Sequence, residues 1–439
     1  MSDDAVGLLE EETLLFTQEL IRIESVNAGD PSTIGDGEAR AIRYVQERLQ
    51  EAGYDTRYAE SAPGRANLVA RLRGAGATRG ALVAHAHVDV VPVDETDWTY
   101  PPFGGEIHDG FLYGRGALDM KNYAAVLLAV ARAFARDSVV PERDIVFAFF
   151  SDEEAGGVYG ARWVARHRPD WLSGVTEAVS EVGGFSVPMG AKRAYLIATS
   201  EKGVGAATLR AKGPAGHASR PTDRNAVTRL ARAVVAVGEH RFPIVSTPAM
   251  EAFTRHASEL LGIPFSVDQL EQHLDVLGVA GPLVTAGLRN TVSPTMLAAG
   301  YKTNVIPGEA TARLDTRMLP GDDGQLESEI ASIVGSEVAV EWDRSTSPLE
   351  SPTHGPFLDA IQAALVADDP GGVLVPYLMP ASTDNKHLRA LGITGYGFVP
   401  LRTAGDFDAF SLFHAVDERI PVDALLFSAR VTARILRTA

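Results

Sequence analysis

An α/β fold with a mostly parallel central sheet flanked by helices, interrupted by a smaller α+β domain, is what this sequence predicts. Three observations predict it. Apolar runs that read as buried strands alternate with helical periodicities through the first 199 residues. Between 200 and 345 the order of elements changes to β-α-β-β-α-β. From 346 to the end at residue 439 the α/β pattern resumes. The predicted division is therefore 1–199 and 346–439 for one catalytic domain, with 200–345 inserted into it.

Each element follows from its pattern. Residues 8–25 and 37–52 carry apolar positions at helical spacing, and Gly53 stands where a C-cap glycine ends the second helix. The runs 66–73 and 80–88 read as strands, 120–136 as a helix, and Ile145-Val-Phe-Ala-Phe-Phe150 as a strongly apolar strand. A helix near 158–168 and a strand near 177–182 follow. Residues 203–211 alternate like a half-exposed strand, a helix covers 223–238, and a polar stretch of unassigned role runs to about 285. Strands near 298–303 and 309–316, a helix near 324–334 and a strand near 337–342 complete a split-βαβ, ferredoxin-like order. The last helix holds Pro421 in its first turn, where its missing N–H costs nothing.

Composition narrows the function. Hydrophobic residues make up 45% and charged residues 22%, ordinary values for a soluble globular protein. The longest apolar runs fall short of the ~18 residues a membrane span needs. The acidic start, Met-Ser-Asp-Asp, has no basic region before an apolar one, so no secretory signal is expected. Without cysteine there is no disulfide and no thiolate metal site, and a reducing cytoplasm is the expected compartment. A net charge of -17 disfavours nucleic acid and anionic membranes as partners.

Ligand-type residues recur at the ends of predicted strands, where open α/β sheets bind their ligands. His87 and Asp89 point to one side of a strand end, so one can ligate a metal while the other orients it. Asp119 follows in Gly114-Arg-Gly-Ala-Leu-Asp-Met-Lys, then Glu153 and Glu154 in Ser151-Asp-Glu-Glu-Ala-Gly-Gly157, Glu181 before Gly183-Gly184, and His414 before the final helix. Two metals ~3.5–4 Å apart need a histidine and a carboxylate each, a bridging carboxylate and a free carboxylate as base. His87, His414, Glu154, Glu181, Asp119 and Glu153 supply that set. His85 shares the strand parity of His87 and is expected to be a core histidine supporting the site.

With these motifs the chain resembles the dizinc metallopeptidase family of aminoacylase, acetylornithine deacetylase, succinyl-diaminopimelate desuccinylase and glutamate carboxypeptidase. The resemblance runs through His87-Val-Asp89-Val-Val-Pro92, Asp119-Met-Lys, Asp152-Glu-Glu-Ala-Gly-Gly157, Gly216-His217-Ala-Ser and Asn304-Val-Ile-Pro307. It implies that His87 and Glu181 hold one zinc, His414 and Glu154 the other, and that Asp119 bridges them. It implies that Asp89 sets the tautomer of His87 and that Glu153 is the general base. The inserted domain becomes a lid and dimerisation domain, through which His217 serves the partner's active site as an oxyanion donor. Asn304 and Arg317 match a polar and a cationic residue of the family, Arg317 taking a substrate carboxylate. Ser382 and Thr383 fall in a loop that lines the pocket, although Pro380-Ala381 stands here where many relatives have glycines.

The function so implied is hydrolysis of an amide bond in an N-acyl amino acid or short peptide by a metal-bridging hydroxide. Deacylase and dipeptidase or carboxypeptidase readings differ only on the acyl side and both stay open, as does another C–N hydrolysis such as carbamate cleavage. A binding protein without turnover is opposed by the complete ligand set. Co2+ or Mn2+ suits such N/O ligands as well as Zn2+. No Gly-x-Ser-x-Gly elbow, no P-loop and no His-Glu-x-x-His helix is present, which disfavours the serine hydrolase, nucleotide-binding and one-zinc peptidase alternatives.

Overall fold

The computed structural model describes residues 2–30, 33–76, 79–322, 324–343 and 346–439. All seven residues of the strand Ala81–His87 are buried, which fits a strand covered by helices on both faces. It pairs in parallel with Ile145–Phe150 on one side and Val175–Ser180 on the other, and Val175–Ser180 pairs in parallel with Thr394–Gly397. Arg65–Leu72 and then Thr56–Ala62 extend one edge antiparallel. Beyond Thr394–Gly397 lies Lys192–Glu201, which takes Gly372–Met379 in parallel and Ser186–Met189 and Leu349–Glu350 antiparallel. Ten strands among the described residues thus form one mixed sheet with a parallel centre.

Helices Asp3–Arg22, Lys121–Arg136 and Val422–Thr438 pack on one another, so the two ends of the chain close a single core. Ser2 caps the first by accepting from the Ala5 N–H at 3.3 Å. The helix Gly37–Glu51 ends as expected, with Gly53 at φ +88°. Several strands escape the periodicity argument, two of them for plain reasons. Thr56–Ala62 is a polar edge strand with no fully buried residue, and Lys192–Glu201 begins with two cations.

The inserted domain has the expected element order. Its antiparallel sheet runs Thr291–Ala299, Glu309–Met318, Gly203–Lys212, Val338–Trp342, and helices Ala226–Glu239 and Gln325–Val334 pack on it around a separate core that includes Leu209, Leu230, Leu314 and Ile330. The strand expected near 298–303 lies earlier, at Thr291–Ala299. Pro294 argues against a strand in the sequence, but this strand is at the sheet edge and its register shifts between Pro294 and Met296, which tolerates a missing N–H.

The polar stretch to 285 is not part of that small core. It contains the helix Pro248–Leu261, and Met250, Phe253, Leu270, Leu283 and Val284 join the large core against Gly372–Met379. The insertion's own core draws on residues 207–242 and 310–338 only. Among the described residues no helix is long and apolar enough to cross a membrane.

Phe253 is fully buried. Phe253→Ala should cost about 3–5 kcal/mol of stability, while Val140→Ala at an exposed site should stay within about 0.5 kcal/mol. Urea unfolding of both variants measures this, and a Phe253→Ala protein as stable as the parent would separate residues 248–288 from the main core.

Candidate metal centre and active site

The parallel strands end on the same side of the sheet, which brings distant segments together. His87 closes Ala81–His87, the turn 151–157 follows Ile145–Phe150, and Glu181 follows Val175–Ser180. Asp119 precedes the helix Lys121–Arg136, and His414 precedes Val422–Thr438. His87 Nε2 lies 3.1 Å from Asp119 Oδ1 and 3.2 Å from Glu181 Oε2. His414 Nε2 lies 3.1 Å from Asp119 Oδ2 and 3.1 Å from Glu154 Oε2. The result is two histidine–glutamate pairs with one oxygen of Asp119 turned to each.

The cluster fits metal ions. Ligand atoms of His87, Asp119 and Glu154 all lie within 4.8 Å of one another, and so do those of His87, Glu153 and Glu181. The other oxygen of Glu154, Oε1, is buried with no hydrogen-bond partner among the described residues. Imidazole and carboxylate are the donor types that hold zinc and related divalent ions where thiolate is lacking.

Electrostatics point the same way. Burial and the charge of Asp119 push Glu154 up to about 8, and burial pushes Glu181 well above the usual carboxylate range. His414, bonded to Asp119 and Glu154, is raised to about 10. Burial works against a charge on His87, but Glu181, Asp119 and Asp89 outweigh it and hold its pKa well above the ordinary histidine value. Crowded carboxylates retain protons in the places where cations would relieve them.

Two buried carboxylates set this geometry. Asp89 accepts from the backbone N–H groups of Glu153 and Glu154 at 3.1 and 3.0 Å and from Asn27 Nδ2 at 2.9 Å. It also lies 3.4 Å from His87 Nδ1, which sits 3.0 Å from the Asp89 carbonyl oxygen. With its proton on Nδ1, His87 presents the Nε2 lone pair to the cluster. Glu418 accepts from Arg115 Nη1 at 2.7 Å and from the N–H groups of Gly116, Leu118 and Asp119 at 3.1, 2.7 and 3.0 Å. Arg115 Nη2 donates to the carbonyl of His414 at 3.2 Å, so one ion pair sets the loops of both Asp119 and His414. His414 and Asp152 adopt left-handed backbone angles, φ +61° and +69°, which side chains seldom adopt unless their surroundings impose them.

The remaining expected residues are placed less directly. Glu153 lies at the rim of the cluster, paired with Lys386. His217 and Asn304 meet on a two-stranded ribbon of the insertion, where the Ala218 N–H donates to the Asn304 carbonyl. Both are exposed, and among the described residues neither hydrogen-bonds to the cluster. Arg317 forks onto Asp315 at 2.8 and 3.1 Å, two residues away on the same face of its strand. Ser382 is half-buried. Thr383, expected to line the pocket, is buried and gives its N–H and its hydroxyl to Glu201 at 2.9 and 2.6 Å. His85 is a buried histidine bonded to Asn385, as expected of a core residue. Sequence reasoning passed over Glu418, Arg115 and Asn27. Glu418 lies four residues after His414, but nothing in the order of residues marks it as a loop anchor rather than an exposed acid.

Residues 83–438 match the model of peptidase family M20/M25/M40. A carboxypeptidase of Schizosaccharomyces pombe, itself described as uncharacterized, is 24% identical over 459 aligned positions, covering 94% of this chain and 77% of that protein. A succinyl-diaminopimelate desuccinylase of Cereibacter sphaeroides is 32% identical over 233 positions, which span 52% of this chain and 57% of the relative. A dinuclear metal-binding peptidase from Bacillus subtilis shares the fold, with a TM-score of 0.62 at 16% identity over 99% of this chain and 100% of that one.

Removing one partner of a buried ion pair typically costs about 3–5 kcal/mol, and loss of a group that orients metal ligands costs about 10–100-fold in affinity. Glu418→Ala should show both effects in thermal unfolding and zinc titration. Parental stability and parental zinc affinity in that variant would mean that the two loops hold their shape without it.

Proposed function

Since the chain belongs to peptidase family M20/M25/M40, we propose that it hydrolyses the amide bond of an N-acyl amino acid or short peptide carrying a free carboxylate. The observation that carries this reading is Asp119, whose two oxygens face two separate histidine–glutamate pairs. His87 and Glu181 would hold one divalent ion and His414 and Glu154 the other, with Asp119 shared. Zinc is the ion proposed, with cobalt and manganese as substitutes compatible with the same ligands. Such ions, when bound, polarise a carbonyl and acidify water.

The protein's own groups do the rest. Glu153 has a carboxylate oxygen within 4.8 Å of the ligand atoms of His87 and Glu181, placed to take a proton from the attacking water and return it to the departing nitrogen. Asp89 orients His87 and, through two backbone N–H groups, the turn that carries Glu153 and Glu154. Arg317 would exchange Asp315 for the substrate carboxylate, a bidentate partner of the same shape.

A dimer through the insertion is part of the proposal. Its edge strand Thr291–Ala299 exposes Met296 and Leu297 at 66% and 67%, and Tyr301 beyond it is 84% exposed. Large apolar side chains grouped on an unpaired sheet edge favour a second chain as cover. In that arrangement His217, exposed in its own subunit, would donate a hydrogen bond to the oxyanion in the neighbouring site.

Glu153→Ala should retain two metal ions per chain by elemental analysis and lose turnover by about 10²–10⁴-fold; a variant with the parental rate would end its assignment as base. Mixing His217→Ala with Glu153→Ala subunits should restore part of the activity that each lacks alone, and no recovery would confine His217 to its own subunit. A panel of N-acyl amino acids, dipeptides and carbamates, assayed with and without chelator, identifies the bond cleaved. Activity that survives complete metal removal would refute the metal-dependent reading.

A further inference from the structure

Residues 383–387, which enter the short helix Asn385–Leu388, are tied down by several hydrogen bonds. Thr383 donates twice to Glu201, and His85 Nε2 donates to Asn385 Oδ1 at 3.0 Å. His387 Nε2 donates to the carbonyl of Gly156 at 2.9 Å. Burial lowers His85 to about 4 and His387 to about 3, so each ring is neutral and each bond uses its single N–H. This segment also lies against the turn that carries Glu153. A Cβ on Gly157, which sits at φ +66°, would come within 2.5 Å of Asp384 Oδ1. The backbone of Gly157 is thus packed directly against the side chains of Asp384 and His387.

This arrangement delivers one cation to the site. The Lys386 ammonium lies 3.5 Å from Glu153 Oε1, with both side chains largely buried, at 9% and 12% exposure. Asp384, fully buried beside it, has no hydrogen-bond partner on either carboxylate oxygen among the described residues. Burial opposes the charge on Lys386, but Glu153 and Asp384 outweigh it and keep the ammonium protonated.

Glu153 needs such a partner because it has a competing place to go. Its carboxylate is within ligand distance of His87 and Glu181, so without restraint it would act as a third carboxylate on that half-site rather than as a base. We propose that Lys386 is a positioning residue: its ammonium holds Oε1 of Glu153 back from the metal ligands, so that Oε2 is the oxygen that exchanges the proton. The water O–H bond breaks as Oε2 gains the proton, and the same proton passes from Oε2 to the leaving nitrogen as the C–N bond breaks. Lys386 itself exchanges no proton. The inference rests on reading Glu153 as the base.

The test uses the full-length enzyme loaded with zinc and whichever amide of the panel it turns over. Lys386→Met should lower kcat by about 10–100-fold, since small misplacements of a reacting group cost that much. KM should change less than about threefold, with two metals retained, and Lys386→Arg should recover most of the loss. A Lys386→Met enzyme with parental kcat, or one whose loss lies in KM or in metal content, would overturn the proposal. If Lys386→Met does not fold, Lys386→Gln and Lys386→Arg are compared in its place, and equal rates for the two would overturn it. Glu153→Ala separates the two readings. Parental activity there removes the base itself, whereas an inactive Glu153→Ala beside an unaffected Lys386→Met removes only the role of Lys386.

Discussion

The carboxylate of Asp89 makes the contact on which the site depends. It is completely buried, yet it stays ionised because His87, Asn27 and the backbone N–H groups of Glu153 and Glu154 together outweigh the cost of burial. One side chain thereby orients His87 at the end of one strand and the turn of Glu153 and Glu154 after the neighbouring strand. A buried carboxylate with this many donors has no alternative arrangement of comparable energy. The network continues outward from Asn27, whose oxygen accepts from Arg65 Nη2 at 3.1 Å, while Arg65 pairs with Glu38 at 2.5 Å and Glu38 accepts from the Asp152 N–H. The helix Gly37–Glu51, though distant in sequence, is in this way part of the support of the candidate metal centre.

Glu418 does the same from the other end of the chain. It joins the Asp119 loop to the His414 loop across 299 residues of sequence, and Arg115 completes the link. Asp89 therefore supports Glu154 and His87, and Glu418 supports Asp119 and His414. Asp119, Glu154 and Glu181 converge on the same two histidines, and carboxylates gathered in one buried cluster require such restraint because their like charges otherwise push the loops apart.

The two-core construction separates tasks. The large core, which includes the helix Pro248–Leu261, rigidly supports the candidate metal centre. The small core holds only the four-stranded sheet with its two helices, and it carries His217, Asn304 and Arg317 at a distance from the cluster. An insertion with its own core can move as a body without disturbing the metal geometry. Arg317 held by Asp315 shows the same economy, since an unpaired guanidinium on a half-buried strand finds the nearest carboxylate.

Much of this was written in the order of residues. Six chemistry-bearing side chains stand at the ends of apolar runs, and period-two and helical patterns place those runs in an α/β domain, so the fold class and the residues proposed as ligands were legible from local pattern. The sequence by itself also determined that any metal must be held by nitrogen and oxygen, because it contains no cysteine. What only the tertiary structure decided was which polar residues serve others. Asn27, Glu418 and Lys386 have no sequence signature, since their role is defined by partners up to about 300 positions away. The helix Pro248–Leu261 reads as insertion by position and packs as catalytic core, because burial depends on which surface is opposite and not on which segment is adjacent. The strand Thr291–Ala299 was hidden by Pro294 for a related reason: a proline is forbidden in a central strand and allowed at an edge, and only the assembled sheet has edges.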